Sequence, residues 1–232
     1  MNTSTLVVLS GGMDSTTLAY LAATEGPVVA VSFDYGQRHR IELEYAATTA
    51  REIGAEHVVV PMAWLAPMIA GRSALVTDDV PVPEGHYAAD TMAATVVPNR
   101  NAIMLNVAAG IAIARGMDRV GTGVHAGDHF VYPDCRPEFI ALTNEALRVG
   151  NAGFAVEDFH LWAPFVNISK TDIAILGDEL SVRWLDTWSC YVGGDAHCGK
   201  CGTCVERREA FRDAGVDDPT FYNDPDFAWT VL

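Results

Sequence analysis

Leu6-Val-Val-Leu-Ser-Gly-Gly-Met-Asp-Ser15 is the stretch that decides how this chain folds. Its apolar start makes a short buried strand, its paired glycines make a tight turn, and residues 16–23 carry good helix formers, so it reads strand, loop, helix. In an open α/β sheet such a loop lies beyond the carboxyl end of its strand, where ligands bind. Two successive glycines let the backbone approach an anion closely, and the first amides of the helix point at that anion along a favourable dipole. Ser10 and Ser15 add hydroxyl donors. Asp14 repels phosphate, so its expected work is to hold the loop or to help place a magnesium ion. The loop is neither a Walker A sequence nor the dinucleotide fingerprint G-x-G-x-x-G, and the first 100 residues contain no lysine.

Outward from this loop the rhythm repeats. Residues 28–33 and 57–60 read as buried strands, and residues 41–53 place Ile41, Tyr45, Ala46 and Ile53 near one helical face that Gly54 can end. Strands separated by helices imply parallel crossovers with helices on both sheet faces. Residues 61–98, rich in Pro and Asp, break the pattern and are expected to form a functional loop or a lid with short helices. Residues 101–115 resume as a helix apolar almost all round, which predicts burial. Residues 118–122 and 160–163 give the fourth and fifth strands, residues 136–149 a helix, and residues 169–180 a helix with Ser169 as N-cap and Asp172 in its first turn. The expected fold is therefore α/β, a Rossmann-like doubly wound parallel five-stranded sheet over residues 1–187, with a small C-terminal metal-binding module over residues 188–232.

Composition limits the function. Fifteen basic against 30 acidic residues give a net charge of −15, which argues against a broad hold on nucleic acid, because phosphate backbones are bound by clustered Lys and Arg. A small-molecule substrate fits better. The N-terminus lacks the basic start and apolar run of a signal peptide, and no run of about 20 apolar residues could span a bilayer, so a cytoplasmic location is expected.

Cys190, Cys198, Cys201 and Cys204 offer four thiolates at spacings that tight loops can fold around one tetrahedral ion. An iron–sulfur cluster suits similar spacing. Zinc, as a closed structural site, is the expectation because nothing else in the chain points to redox chemistry. Cys135 reads as a small buried core residue rather than a nucleophile.

The Ser10–Ser15 pattern resembles the SGG-x-DS motif of the PP-loop ATP pyrophosphatases, which cleave ATP between the α and β phosphates and retain pyrophosphate as leaving group. With Phe33-Asp-Tyr-Gly-Gln-Arg-His39, Val97-Pro-Asn-Arg-Asn101, Thr122-Gly-Val124, Tyr132-Pro-Asp-Cys-Arg136 and Ser189-Cys-Tyr191 added, the chain resembles the 7-cyano-7-deazaguanine synthases of queuosine biosynthesis over nearly its whole length. The resemblance implies that ATP, with Mg2+, activates 7-carboxy-7-deazaguanine, that ammonia gives the amide, and that a second activation dehydrates the amide to the nitrile. It implies pyrophosphate binding by Ser10, Gly11, Gly12, Asp14 and Ser15, within a nucleotide-binding stretch running through Leu9, Met13, Thr16, Thr17, Leu18 and Ala19. It also implies structural Zn2+ on the four cysteines, and homodimers.

Further residues are assigned from position. Asp14, Ser15, Arg100 and Asp134 are the candidate catalytic residues: Arg100 to neutralise a phosphate or the substrate carboxylate, Asp134 to read the amine edge of a deazaguanine. Arg38 and His39 follow the second strand at the ligand edge, either as site residues or as solvated loop charges. Lys170 is placed to touch ATP, but it reads first as a surface helix lysine. The family pattern Cys-Glu-Thr-Asp is here His125-Ala-Gly-Asp128, followed by His129; these histidines are expected to hydrogen-bond or pack rather than to bind metal. The rival readings are another PP-loop adenylating enzyme, or a paralogue with a different acceptor, and, of another class, a zinc-stabilised module that keeps nucleotide without turnover.

Overall fold

The computed structural model describes residues 2–69 and 73–228. Its centre is a parallel sheet of β1 (Thr5–Val8), β2 (Val28–Asp34), β3 (Glu56–Pro61), β4 (Arg119–Gly121) and β5 (His160–Trp162), in the order β3-β2-β1-β4-β5. β1 is central, in register with β2 from Thr5 opposite Val28 and with β4 from Thr5 opposite Arg119. The chain winds outward from β1 to β3, then returns to build the other half from β4. The loop after β1 therefore lies at the point where the winding reverses, where parallel sheets open a crevice.

Alternation along β1 assigns its side chains to the two faces. Val7 and Leu9 join Leu18, Ala19 and Ala22 of α1 (Met13–Glu25) and Ala46 and Ala50 of α2 (Glu42–Glu52) in one core. Leu6 joins the larger core on the opposite face. Each fully buried Leu or Val contributes about 1.5–3 kcal/mol relative to exposure. Gly54, with φ of 70°, ends the α2 turn in a conformation that other residues adopt at a cost.

Residues 61–98 contain α3 (Ala66–Ile69) and α4 (Ala89–Met92). Met62, Leu75, Tyr87, Met92 and Val97 of this segment enter the larger core, and the Ala74 N–H donates to the Ala94 carbonyl at 2.8 Å. The helix α5 (Arg100–Ala114) buries Leu105, Ala108, Ala109 and Ala112 but leaves Asn106 and Gly110 exposed, so it is covered on one side rather than all round. α6 (Pro137–Gly150) packs beside it, burying Ile140 and Leu147. α7 (Lys170–Glu179) starts in a capping box: Ser169 Oγ accepts from the Asp172 N–H at 3.1 Å, and Asp172 Oδ2 accepts from the Ser169 N–H at 2.9 Å.

The C-terminal segment holds a helix that sequence reading left out, α8 (Gly202–Ala214), packed against α7. Gly-Thr-Cys is a weak helix start, and Cys201 stands at the N-cap without a side-chain cap hydrogen bond, so the helix rests on the buried face that Val205, Ala210 and Phe211 supply. Arg207 is fully buried in this helix. Its guanidinium donates to Thr187 Oγ1 at 2.7 Å, the Trp184 carbonyl at 3.1 Å and Asp218 Oδ1 at 3.1 Å, and lies 4.8 Å from the Phe211 ring centroid. A charge so buried needs this set of partners, and together they fasten α8 to the segment entering the cysteine cluster. Among the described residues no helix is long and apolar enough to cross a membrane.

Candidate active site

The loop after β1 bends at Gly11, whose φ is +85°. A Cβ there would stand 2.4 Å from the Glu42 carbonyl oxygen and 2.8 Å from the Ala46 nitrogen, so only glycine lets α2 pack this close. Ser10 and Ser15 hydroxyls lie 3.0 Å apart, Ser15 Oγ accepts from the Ser10 N–H at 3.2 Å, and no side chain caps the N-terminus of α1. The helix thus presents uncapped amides at the loop, the arrangement that attracts phosphate. The Trp188 N–H donates to the Gly11 carbonyl at 2.8 Å, bracing the loop from the C-terminal side.

A cavity of about 230 Å³ opens from this loop. Of the expected nucleotide-binding stretch, Leu9, Ser10, Gly12, Asp14 and Ser15 line it. Gly11 faces α2, while Met13, Thr16, Thr17, Leu18 and Ala19 are buried along α1 and support the loop from behind.

A charged cluster fills the end beside Asp14. Lys170 Nζ lies 3.3 Å from Asp14 Oδ2 and 2.6 Å from Glu206 Oε2. The expectation that Lys170 is a surface lysine is corrected: its side chain is 14% exposed and on the cavity wall, because two carboxylates compensate its burial. Burial alone would lower its ammonium, but the charges of Asp14, Glu206 and Asp128 outweigh it and hold Lys170 above the ordinary lysine range. His125 is 1% exposed and accepts the Gly127 N–H on Nδ1 at 3.1 Å, so its proton sits on Nε2, 3.6 Å from Asp128 Oδ2 and 4.0 Å from Asp14 Oδ2. It hydrogen-bonds and packs; among the described residues the cysteines alone form a metal-holding group of His, Cys, Asp and Glu. Asp14 Oδ1 is buried with no hydrogen-bond partner.

Lys170→Met is expected to cost about 3 kcal/mol of stability at neutral pH, because it leaves two part-buried carboxylates uncompensated. Urea denaturation checks this. The deficit should shrink as pH falls and Glu206, whose carboxyl burial already pushes up, takes a proton, and adding Glu206→Gln should recover part of it; an unchanged midpoint would show that the lysine does not hold the pair.

The cavity is also lined by Tyr35, His39, Glu42, Arg100, Asn101, Tyr132, Cys135 and Tyr191. Arg100 opens α5 and donates to the Tyr35 hydroxyl at 3.2 Å, with burial pushing that phenol up to about 12. His39 is 3% exposed and stacks 5.1 Å from Tyr191, so it is a site residue rather than a solvated charge. Arg38 turns away, 3.1 Å from Asp78. Cys135 accepts from Asn101 Nδ2 at 3.3 Å, and burial pushes its thiol well up, as suits a wall residue held protonated rather than a nucleophile. Asp134 is not on the cavity wall; the short helical turn Pro133–Cys135 brings Cys135 there and leaves Asp134 half-buried beside it.

Cys190, Cys198, Cys201 and Cys204 lie together, all buried, with their sulfurs within 4.8 Å of one another, and can hold a metal ion. Cys201 N–H and Cys198 N–H donate to Cys198 and Cys190 sulfurs at 3.2 and 3.3 Å, contacts that favour thiolate.

Glu42, Tyr87 and Glu206 were missed as site residues, and for Lys170 the surface reading ranked above an ATP contact. Lys170 had a usable signal, since it opens the helix after β5 at the same sheet edge as the phosphate loop. Glu206 had none, lying two positions past a cysteine in a segment that reads as metal-binding.

Comparison with known proteins agrees with this geometry. The family model described as "Queuosine biosynthesis protein QueC" matches residues 4–215. A 7-cyano-7-deazaguanine synthase of Rhizobium meliloti (strain 1021) is 55% identical over 228 residues, 96% of this chain and 93% of its own. One from Ruegeria pomeroyi is 53% identical over 224 residues, 96% of each. Among solved structures, the U34-tRNA thiolase NcsA from Methanococcus maripaludis, determined with its [4Fe-4S] cluster, has a TM-score of 0.51 at 14% identity over 99% of this chain and 77% of that one, a likeness of fold alone. A loop motif, a wall and a cysteine cluster that together match one family model over most of their length place the chain in the QueC family of queuosine biosynthesis proteins.

Proposed function

We propose that this chain is a 7-cyano-7-deazaguanine synthase, converting 7-carboxy-7-deazaguanine and ammonia to the nitrile with two activations by ATP. The observation that carries the reading is that the phosphate loop shares one cavity with Phe33, Tyr35, His39, Tyr132 and Cys135, which come from the two segments peculiar to the resemblance. A loop shared by many ATP pyrophosphatases thus meets a wall specific to one family.

In the first activation a carboxylate oxygen of the substrate attacks the α phosphate of ATP, the bond to the β phosphate breaks, and pyrophosphate leaves with the electron pair. The Ser10 and Ser15 hydroxyls and the uncapped amides of α1 hold the departing charge, which grows on the pyrophosphate in the transition state. Lys170 sits at the same end as a permanent cation. Arg100, on the cavity lining, neutralises the acid. Ammonia displaces AMP from the acyl adenylate to give the amide; the amide oxygen is adenylated in turn, and loss of AMP leaves the nitrile. Mg2+, when bound with ATP, supplies further charge neutralisation on the phosphates, and the partnerless Oδ1 of Asp14 is an oxygen suited to it.

The cysteine cluster fits zinc. Zn–S bonds of about 2.3 Å in a tetrahedron put sulfurs about 3.8 Å apart. Cys198 and Cys204 sulfurs are 3.9 Å apart, whereas thiolates that each ligate a different iron of a cluster are spread wider. Zinc there fixes residues 188–214 and takes no part in bond making.

Mass spectrometry of the purified chain with 7-carboxy-7-deazaguanine, Mg-ATP and ammonium tests the proposal. Ammonium-dependent nitrile is expected; ATP cleavage without nitrile would move the search to another acid, and absence of ATP consumption would leave a binding module.

A further inference from the structure

Four carboxylates line the cavity: Asp14, Glu42, Asp128 and Glu206. Asp14 and Glu206 hold Lys170, and Asp128 faces the Nε2–H of His125 and accepts from Tyr87 Oη at 3.3 Å. Glu42 is different. In the first turn of α2 and 12% exposed, its Oε1 accepts from Gln37 Nε2 at 2.9 Å, and its Oε2 lies 3.4 Å from His39 Nε2. Gln37 carries no charge. Burial first, then the charges of Arg100 and Arg38, hold His39 down to about 3, so it too is neutral. Arg100, already donating to Tyr35, is the cation acting on Glu42, while Tyr35 and Tyr191 complete the wall as neutral phenols. Burial prevails over Gln37 and Arg100 and pushes the Glu42 carboxyl up to about 7.

The imidazole accommodates both states of Glu42. Its Nδ1 is buried without a partner, so its tautomer is not fixed from the other side. Nε2–H can donate to the carboxylate, and bare Nε2 can accept from the carboxylic acid, with the contact kept throughout.

The reaction has a matching need. Ammonium holds its proton at neutral pH and has no lone pair to attack with. The amide nitrogen must also shed both its hydrogens before it is a nitrile. Asp14 and Glu206 are committed to the Lys170 ammonium and Asp128 to the Tyr87 hydroxyl, whereas Glu42 is contacted only by the neutral Gln37 amide and the neutral His39 imidazole.

We propose that Glu42 is the proton acceptor of the nitrogen half of the reaction. Its carboxylate takes a proton from ammonium at the cavity wall; the ammonia released forms the C–N bond as the C–O bond to AMP breaks, AMP leaving with the electron pair. The carboxylic acid returns each proton to solvent, and the carboxylate accepts again: once from the C–NH3+ formed by that attack, which leaves the amide, and twice from the nitrogen of the adenylated amide as the C–O bond to AMP breaks and the nitrile forms, four protons in all from ammonium to nitrile. The assignment rests on the synthase reading and adds a base, at the cavity end held by α2, to a site otherwise described by its phosphate loop.

Glu42→Gln keeps the Gln37 contact and the volume while removing the base. Three readouts separate the halves: ATP–pyrophosphate exchange driven by the acid without ammonium, nitrile formation with ammonium across pH, and hydroxamate formation with hydroxylamine, which is largely unprotonated at neutral pH. The expected result is a split. Nitrile formation falls about 100-fold and loses its rise with pH through about 7, while exchange and hydroxamate formation fall far less. Glu42→Asp, which restores a carboxylate, recovers part of the nitrile rate and the rising limb. Equal losses in exchange and nitrile would overturn the proposal and make Glu42 a positioning residue, as would full nitrile formation with an unaltered pH profile. Absence of acid-driven exchange in the unmutated chain would overturn the synthase reading itself, and this assignment with it.

Discussion

Asp14→Ala is expected to cut pyrophosphate release by about 10³-fold, near 4 kcal/mol of transition-state stabilisation, while the protein melts close to its normal temperature. The two halves of that expectation have separate causes. Asp14 Oδ2 faces Lys170 and its Oδ1 is buried without a partner, so the side chain sits beside the phosphate loop with acceptor capacity that the protein leaves unused. Removing it takes away the oxygen available to a cation on the phosphates and frees Lys170 to swing toward Glu206. Stability is spared because Lys170 keeps its shorter contact, 2.6 Å to Glu206, and is not left unpaired. Asp14→Asn makes the control: it keeps the shape, lacks the charge, and should be nearly as slow. Single-turnover pyrophosphate release and a melting curve decide the matter; near-normal turnover in either variant would remove Asp14 from the reaction.

Cys201→Ser should lose its metal and more than about 4 kcal/mol of stability, since a structural zinc site contributes its binding free energy to folding. Cys201 is wholly buried, stands at the N-cap of α8, and its sulfur shares the cluster with three others, so a serine hydroxyl there is a poorer ligand and a buried polar group. The loss should also reach turnover with no change to the phosphate loop's own residues. Trp188 braces the Gly11 carbonyl and Glu206 holds Lys170, and both lie in the segment that carries the cysteine cluster. Metal analysis of the purified variant and urea denaturation check the first claim, acid-driven ATP cleavage the second. A stable variant with full zinc would show that Cys201 is not a ligand.

The parts of this site that the sequence disclosed are those whose chemistry is local. The strand, the glycine turn and the two serines are contiguous; Ser169 and Asp172 cap a helix three residues apart; four cysteines fall within one short span. The parts it concealed depend on which strands become neighbours. Lys170 meets a carboxylate 36 residues away in sequence, and composition alone places lysines on surfaces because burial without a partner is costly. Glu42 and His39 follow the same rule: their altered proton affinities arise from a cavity that α2, α5 and the segment around Tyr191 close together. The helix α8 was hidden because its first residues favour turns, and because its stability comes from packing on α7 and from the cysteine cluster.

The hydrogen bond from the Trp188 amide to the Gly11 carbonyl also has a meaning in time. Synthesis runs toward the C-terminus, so the phosphate loop and the strand beneath it are made before β2, and they can begin pairing while later segments are still missing. The brace at Trp188 and the Glu206 that steadies Lys170 follow all five strands in the chain. A chain cut short before α8 therefore carries the phosphate loop without its support, and the loop gains its braces only after the sheet that bears it has been made.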